Sequence, residues 1–283
     1  MLLAAIKFPV YIAILALLLL ILGFAVWYLA RRTAFIFNTR AGWWYAVFGI
    51  ALLSGFYFMM AASQAWTVRP LAHLCSLAGG VMVGFLFFLT LFMLAVDMVH
   101  CFVRMPRWLF GGLVALLSVG MTVFSMHKAF SPQVVEVRIR LPKLQHPLRA
   151  VQLTDLHIGH YRGEKHVQQH VGMHAPKRPE TIENTLPKLP IDTSLPVIVL
   201  HHSPIGADYM EKAGASLLLS GHTHGGQIFP LTLLNNLLFQ FNRGLNMQNS
   251  MQVYTSCGTG TFGPPMRFGT VSEITLIDFI PYK

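Results

Sequence analysis

Five side chains with metal-binding chemistry follow three apolar runs in the second half of the sequence. Asp155 and His157 form a D-x-H motif, His202 ends a second run, and His222 and His224 form an H-x-H motif inside GHTHGGQ. This mixture of carboxylate and imidazole suits zinc, manganese or iron rather than calcium. Each motif alone arises easily by chance, and surface histidines in loops are the alternative. Three such motifs in this order predict a transition-metal centre.

The apolar runs before these motifs are predicted to be buried strands of an α/β sandwich. Short apolar runs that end in polar residues are typical of buried strands, and functional groups of layered α/β sheets gather where strands end. Because alternate side chains of an extended chain point the same way, we expect Asp155 and His157 to reach one metal ion. These three buried strands are LRAVQLTD, LPVIVLHH and ASLLLSGH, whereas VVEVRIR alternates with period two and predicts a half-buried strand, and QVYTSCG and SEITLIDFI predict two more strands near the C-terminus.

The first half of the chain has the composition of a membrane protein. The whole sequence is 54% hydrophobic and 11% charged, whereas soluble domains carry about 25% charged residues. Asp97 is the single acid of residues 1–127. Because a membrane-spanning helix needs roughly 20 apolar residues, residues 1–130 predict an α-helical transmembrane bundle, and residues 131–283 a second domain. The four predicted spans are about 9–30, 43–63, 76–98 and 108–127.

The distribution of basic residues predicts the orientation and argues against one class of partner. Five arginines follow the first and third predicted spans, whereas Lys7 and Arg69 lie on the other side; the five are Arg31, Arg32, Arg40, Arg104 and Arg107. Since cytoplasmic loops are enriched in Lys and Arg, we expect a multi-pass protein of the inner or plasma membrane with its soluble domain on the extracytoplasmic side. Four basic residues between 128 and 143 favour the reverse orientation. The net charge of +10 mostly flanks apolar spans, so we expect no nucleic-acid partner.

The motifs resemble the calcineurin-like metallophosphoesterases, and within them the membrane-anchored bacterial group. The matching text is LTDLHIGH, VIVLHHSPIGAD, LLLSGHTHGGQIFP and YTSCGTGTFGPPMRFGTVSEITLI, which covers most of 148–160 and 197–279. The resemblance implies that Asp155, His157 and His224 hold the first of two divalent metal ions, and that His202 and His222 hold the second. It also implies hydrolysis of phosphate ester or diphosphate bonds, with the cations neutralising charge on the phosphoryl oxygens. It identifies no catalytic residue beyond the metal ligands and no substrate-binding residue.

The sequence lacks two motifs that this family carries between Asp155 and His202. These are GDxxD, whose first Asp bridges both metals, and GNH, whose Asn binds the second metal. A short connector of about 161–196 stands in their place and contains one Asp, Asp192, and one Asn, Asn184. We therefore expect an apparently shortened phosphoesterase-like sandwich that holds one metal ion or fewer.

The connector contains side chains that could in principle replace the missing ligands. If it is helical, His166, His170 and His174 share one helical face, near Glu164. Its prolines and charges favour a solvated, irregular connector instead.

Three functions remain open at this point. The first is a membrane-anchored, metal-dependent phosphoesterase that uses manganese, zinc or iron and acts on a phosphorylated substrate of unknown identity at the bilayer, with lipid-linked substrates as one candidate class. The second is an inactive remnant of such an enzyme that binds one metal or none. The third is a transporter-like protein with a regulatory domain, for which Asp97 and His100 are the candidate intramembrane pair.

Overall fold

The computed structural model describes residues 2–64, 70–157 and 191–282. These residues form two compact units, which we call the membrane unit (within 1–61 and 78–123) and the sheet unit (within 62–77 and 124–282). Residues 158–190, which include most of the connector, lie outside the described residues, and so do its candidate metal ligands Glu164, His166, His170 and His174.

Four long helices make up the N-terminal part of the chain. They are α1 (Leu2–Phe37), α2 (Gly42–Gln64), α3 (Pro70–Phe102) and α4 (Arg107–Phe130). Each contains a stretch long and apolar enough to cross a membrane; the four stretches are Leu15–Phe37, Gly42–Met60, Leu74–Phe102 and Arg107–Phe130. The expected fold class, four apolar helices followed by an α/β region, is confirmed.

Close backbone contact and one ion pair join the helices of the membrane unit. A side chain on Gly79 of α3 would lie 2.7 Å from the carbonyl oxygen of Gly55 on α2, so small residues let these helices approach. Asp97 on α3 accepts a hydrogen bond from the hydroxyl of Tyr28 at 2.9 Å and pairs with Arg32, both on α1. The acid considered for transport is therefore paired with a neighbouring helix, which is the usual way in which membrane proteins accommodate such a charge.

Among its described residues after α4, the sheet unit has two sheets, two short α-helices and one 3-10 turn at His224–Gly226. Its strands are β1 (Gln133–Leu141), β2 (Leu148–Gln152), β3 (Ile198–Leu200), β4 (Leu217–Ser220), β5 (Gly244–Gln248), β6 (Met251–Thr255) and β7 (Glu273–Pro281). The first sheet has the order β1-β7-β2, with β2 antiparallel to β7; the second has the order β3-β4-β6-β5, with only β5 antiparallel. The helices are α5 (Ala207–Lys212) and α6 (Leu231–Leu238).

Two apolar layers hold the sheet unit together. The facing sides of the two sheets share a core that includes Ile139, Leu217, Tyr254 and Ile277. The far side of the second sheet is covered by α5, whose Met210 packs in a cluster with residues of β4 and β6. Strand β4 is buried along its whole length, which is why it reads as a continuous apolar run without alternation.

Candidate metal centre

The candidate site forms beyond the carboxyl ends of three strands. Asp155 follows β2 by three residues, His202 follows β3 by two, and His222 and His224 follow β4. Strands β3 and β4 are parallel neighbours, so their ends lie at the same edge of the second sheet. The two sheets face each other, and β2 brings the D-x-H motif to this edge from the first sheet.

The backbone at the site is left-handed, which sequence analysis did not anticipate. Asp155, His157, His222 and His224 have φ of 51°, 43°, 74° and 49°. The expectation of an extended D-x-H segment is therefore wrong: β2 ends at Gln152, and turns aim the two side chains instead. Non-glycine residues rarely adopt this conformation. Each such residue lowers the stability of the fold by about 1–3 kcal/mol, so it persists only where its surroundings fix it.

A glycine-rich loop at residues 257–260 closes over Asp155 and fixes it. The backbone N–H of Gly260 donates to the carbonyl oxygen of Asp155 at 2.8 Å. A side chain on Gly258 would lie 2.7 Å from Cβ of Asp155, so only glycine permits this approach. The backbone N–H of His222 donates to Oδ2 of Asp155 at 2.8 Å. The carboxylate is thereby held in one orientation and is fully buried.

Arg267 holds that loop in place, and sequence analysis missed it. Its side chain is fully buried, and its Nη2 donates to the carbonyl oxygens of Cys257, Gly258 and Gly260 at 2.7, 3.0 and 2.6 Å. The same nitrogen lies 3.3 Å from Nδ1 of His224. The available signal was a single charged residue within the glycine-rich text GTGTFGPPMRFG.

The structure brings Asp155, His157 and His224 together as one cluster. Their candidate ligand atoms all lie within 4.8 Å of one another, and the Nε2 atoms of the two histidines are 2.9 Å apart. Burial, together with the charge of Arg267, lowers the pKa of His224 to about 3 against the opposing effect of Asp155. The imidazole is therefore neutral at physiological pH, which is the form that binds metals.

An unsatisfied oxygen of Asp155 supports a cation at this site. Oδ1 of Asp155 is buried and has no hydrogen-bond donor among the described residues. A buried carboxylate oxygen without a partner is costly, and buried charges are normally paired or bound to metals. One carboxylate and two imidazoles also supply the three protein ligands of a catalytic zinc site. The cluster therefore has the chemistry of a divalent transition-metal site.

His202 and His222 form a separate, more open pair. Nε2 of His202 lies 2.9 Å from Nδ1 of His222, and Nδ1 of His202 lies 3.6 Å from Oδ1 of Asp155. The side chain of His202 is 64% exposed. Burial lowers the pKa of His222, and the charge of His202 acts in the same direction. Two imidazoles are one short of the three protein ligands of a catalytic zinc site. Asp155, a member of the first cluster, also contacts this pair.

An apolar wall borders the first cluster. Ala129 and Phe130, at the end of α4, line a small cavity together with His157 and residues 259–261. The ring of Phe262 lies 6.5 Å from the ring of His157, measured between centroids, and its side chain is 70% exposed. A ligand that reaches the cluster from this side would pass aromatic surface.

Several relatives that match part of this chain are named metallophosphoesterases or phosphodiesterases. A transmembrane protein with metallophosphoesterase domain from Danio rerio is 46% identical over 88 residues, which are 30% of this chain and 20% of the relative. An uncharacterized metallophosphoesterase of Helicobacter pylori (strain J99) is 40% identical over 92 residues, 32% and 25% of the two chains. The phosphodiesterase YaeI of Escherichia coli (strain K12) is 32% identical over 94 residues, 31% and 34% of the two chains.

These matches are partial. The matching residues span between about a fifth and a third of the length of the three relatives. No protein-family model matches this chain, and no solved structure matches it significantly.

Proposed function

We propose that this chain, a relative of the calcineurin-like metallophosphoesterases, is a membrane-anchored phosphoesterase that hydrolyses phosphate ester or diphosphate bonds. One observation carries the proposal: Asp155, His157 and His224 converge, and a buried oxygen of Asp155 lacks a donor. The named metallophosphoesterase and phosphodiesterase relatives support the same class of reaction.

The proposed ligands divide as the sequence motifs suggest. Asp155, His157 and His224 would hold a first ion of manganese, zinc or iron, and His202 and His222 would hold a second, weaker one. When bound, such an ion acts as a Lewis acid on a phosphoryl oxygen.

The chain's own residues orient that site. The loop at 257–260 covers Asp155 and keeps water from its buried carboxylate, while Arg267 fixes the loop and lies against His224. Preorganised ligands of this kind lower the cost of assembling a reactive geometry.

The absence of two motifs favours the alternative function, an inactive remnant of a metal-dependent phosphoesterase. The sequence contains neither the GDxxD carboxylate nor the GNH motif. General acid or base help near the leaving group is worth roughly 10²–10⁴ in rate, and a bridging carboxylate is what holds two cations about 3.5–4 Å apart. We therefore propose one well-held ion per chain and slow turnover.

The proposal assigns a task to each part of the chain. Residues 1–130 would anchor the protein in the bilayer, and residues 131–283 would form the phosphoesterase domain on the extracytoplasmic side. Alkaline phosphatase fused after Lys283 should then be active and a cytoplasmic fluorescent reporter at the same place dark. The reverse result would put the domain in the cytoplasm.

Hydrolysis of bis(p-nitrophenyl) phosphate by the purified full chain with added manganese tests the activity. We expect slow turnover that Asp155→Ala and His224→Ala abolish and that His166→Ala leaves unchanged. Turnover no greater than that of Asp155→Ala, combined with normal manganese binding, would establish the inactive remnant instead.

A further inference from the structure

Helix α6 turns its polar side toward the protein and its leucines toward the outside. Thr232 is buried, and Nδ2 of Asn235 donates to the carbonyl oxygen of Thr223 at 3.2 Å. Five leucines of the same helix are between 47% and 84% exposed; they are Leu231, Leu233, Leu234, Leu237 and Leu238. At about 100° per residue, these five leucines lie on the side of the helix opposite Thr232. We call them the leucine face.

The helix that carries the leucine face packs directly on the candidate site. A side chain on Gly226 would lie 2.6 Å from Cα of Thr232, so α6 rests on the turn that contains His224. At the other end of α6, the ring of Phe239 lies 6.0 Å from the ring of His222, measured between centroids. The leucine face is therefore carried by a helix that contacts the turn of His224 at one end and is followed by a residue close to His222 at the other.

The segment that carries the leucine face is uncharged. Residues 229–242, FPLTLLNNLLFQFN, contain no ionisable side chain, and Phe229 is 42% exposed. Soluble proteins rarely leave a contiguous apolar surface of this kind open to water. The polar side of α6 is already used inside the protein, so the leucine face is the side left for a partner.

The rest of the chain indicates which partner this is. The apolar stretch Arg107–Phe130, one of the four that could cross a membrane, ends at Phe130. Phe130 lines the same small cavity as His157. Within the sheet unit, the end of a membrane span and the leucine face thus border the same five-residue site.

We propose that the leucine face inserts into the lipid–water interface of the bilayer in which the chain is anchored, and that the site takes the phosphate ester of a membrane lipid. A helix that lies in this interface buries its apolar side about 5–10 Å into the boundary between headgroups and acyl chains. The substrate half of this inference rests on the proposed function, whereas the docking half does not.

Spin labelling of the full chain in lipid nanodiscs tests the docking half without any activity. A nitroxide on Leu237→Cys, with Cys75→Ser and Cys101→Ser and with the buried Cys257 left in place, should be relaxed by oxygen, which concentrates in lipid, and not by a water-soluble nickel chelate. The matched control is Leu195→Cys, a leucine 56% exposed elsewhere in the sheet unit, which should respond to nickel. A nickel-accessible label at 237 would overturn the proposal, and so would dipolar broadening between two labelled chains, which would mean that a second copy covers the face.

A soluble substrate and a membrane substrate, compared on the same variant, test the substrate half of the proposal. Leu234→Ser combined with Leu237→Ser should leave hydrolysis of the soluble bis(p-nitrophenyl) phosphate unchanged and reduce hydrolysis of phosphatidyl-p-nitrophenol in nanodiscs by roughly tenfold or more. An equal loss on both substrates would overturn the lipid assignment. If the unsubstituted chain hydrolyses neither substrate, the proposed function fails and the lipid substrate fails with it, while the oxygen response at position 237 still decides the docking.

Discussion

The two groups of histidines at the site differ sharply in how the protein holds them. His224 is 5% exposed and lies against the buried Arg267, whereas the side chain of His202 is 64% exposed. The loop at 257–260 and Arg267 support the first cluster through hydrogen bonds to Asp155 and a close approach to His224. The difference shows that a metal site depends on what surrounds the ligands as much as on the ligands themselves.

The open pair lies beside an edge strand of the second sheet. His202 follows β3, which is an edge strand among the described residues, and Leu200 at its end is 77% exposed. The GDxxD and GNH motifs of the calcineurin-like metallophosphoesterases, which the sequence resembles, are absent before this strand. Among the described residues, the side of the site formed by the loop at 257–260 and Arg267 is well enclosed, whereas the side that carries His202 is open.

The largest expected effect comes from Asp155, which both groups of histidines share. Asp155→Asn preserves the volume of the side chain but removes its charge. Loss of an outer partner of a metal ligand already costs about 10–100-fold in affinity, so loss of the carboxylate itself should weaken manganese binding by more than about 100-fold. Isothermal titration calorimetry on the full chain measures this. Affinity within a few-fold of the original would place the ion elsewhere and remove the basis of the comparison.

A smaller effect is expected at Arg267. Arg267→Lys keeps the charge but replaces a planar fork with a single ammonium group, so it cannot serve the carbonyl oxygens of Cys257, Gly258 and Gly260 together. Each buried group left unsatisfied costs about 1–3 kcal/mol, and manganese affinity should fall roughly 10–100-fold as His224 loses its support.

Thermal unfolding with and without manganese checks the arginine prediction. The matched control is Arg243→Lys, because Arg243 is exposed and its Nη1 donates to only one carbonyl oxygen, that of Gly269, at 3.1 Å. Equal behaviour of the two lysine variants would show that Arg267 does not distinguish the buried cluster from the open pair.

The residue types along the chain predicted the strands and the ligand motifs. They did not predict the backbone conformation at the site. Each of the six predicted strands overlaps an observed strand, and the three ligand motifs follow strand ends as expected. The left-handed conformations at Asp155 and His157 were not predicted, because the backbone contacts around Asp155 come from a loop about 100 residues later in the chain, at 257–260. Strand β5, with the sequence GLNMQ, was missed because it has no β-branched residue and begins with glycine, which is depleted in strands.

The smallest expected effect is at His202, and it tests the comparison most directly. The imidazole of His202 is mostly exposed, and its 3.6 Å contact with the buried carboxylate of Asp155 is longer than a hydrogen bond, so screening by solvent limits this contact to about 0–1 kcal/mol. His202→Ala should therefore lower manganese affinity by about fivefold or less, and calorimetry should report one ion per chain before and after the substitution. His201→Ala is the matched control, because the ring of His201 bonds to the carbonyl oxygen of Ser203 at 2.7 Å. A loss comparable with that of Asp155→Asn, or two tightly held ions in the unsubstituted chain, would mean that the open pair is as complete as the buried cluster and that ligands come from outside the described residues.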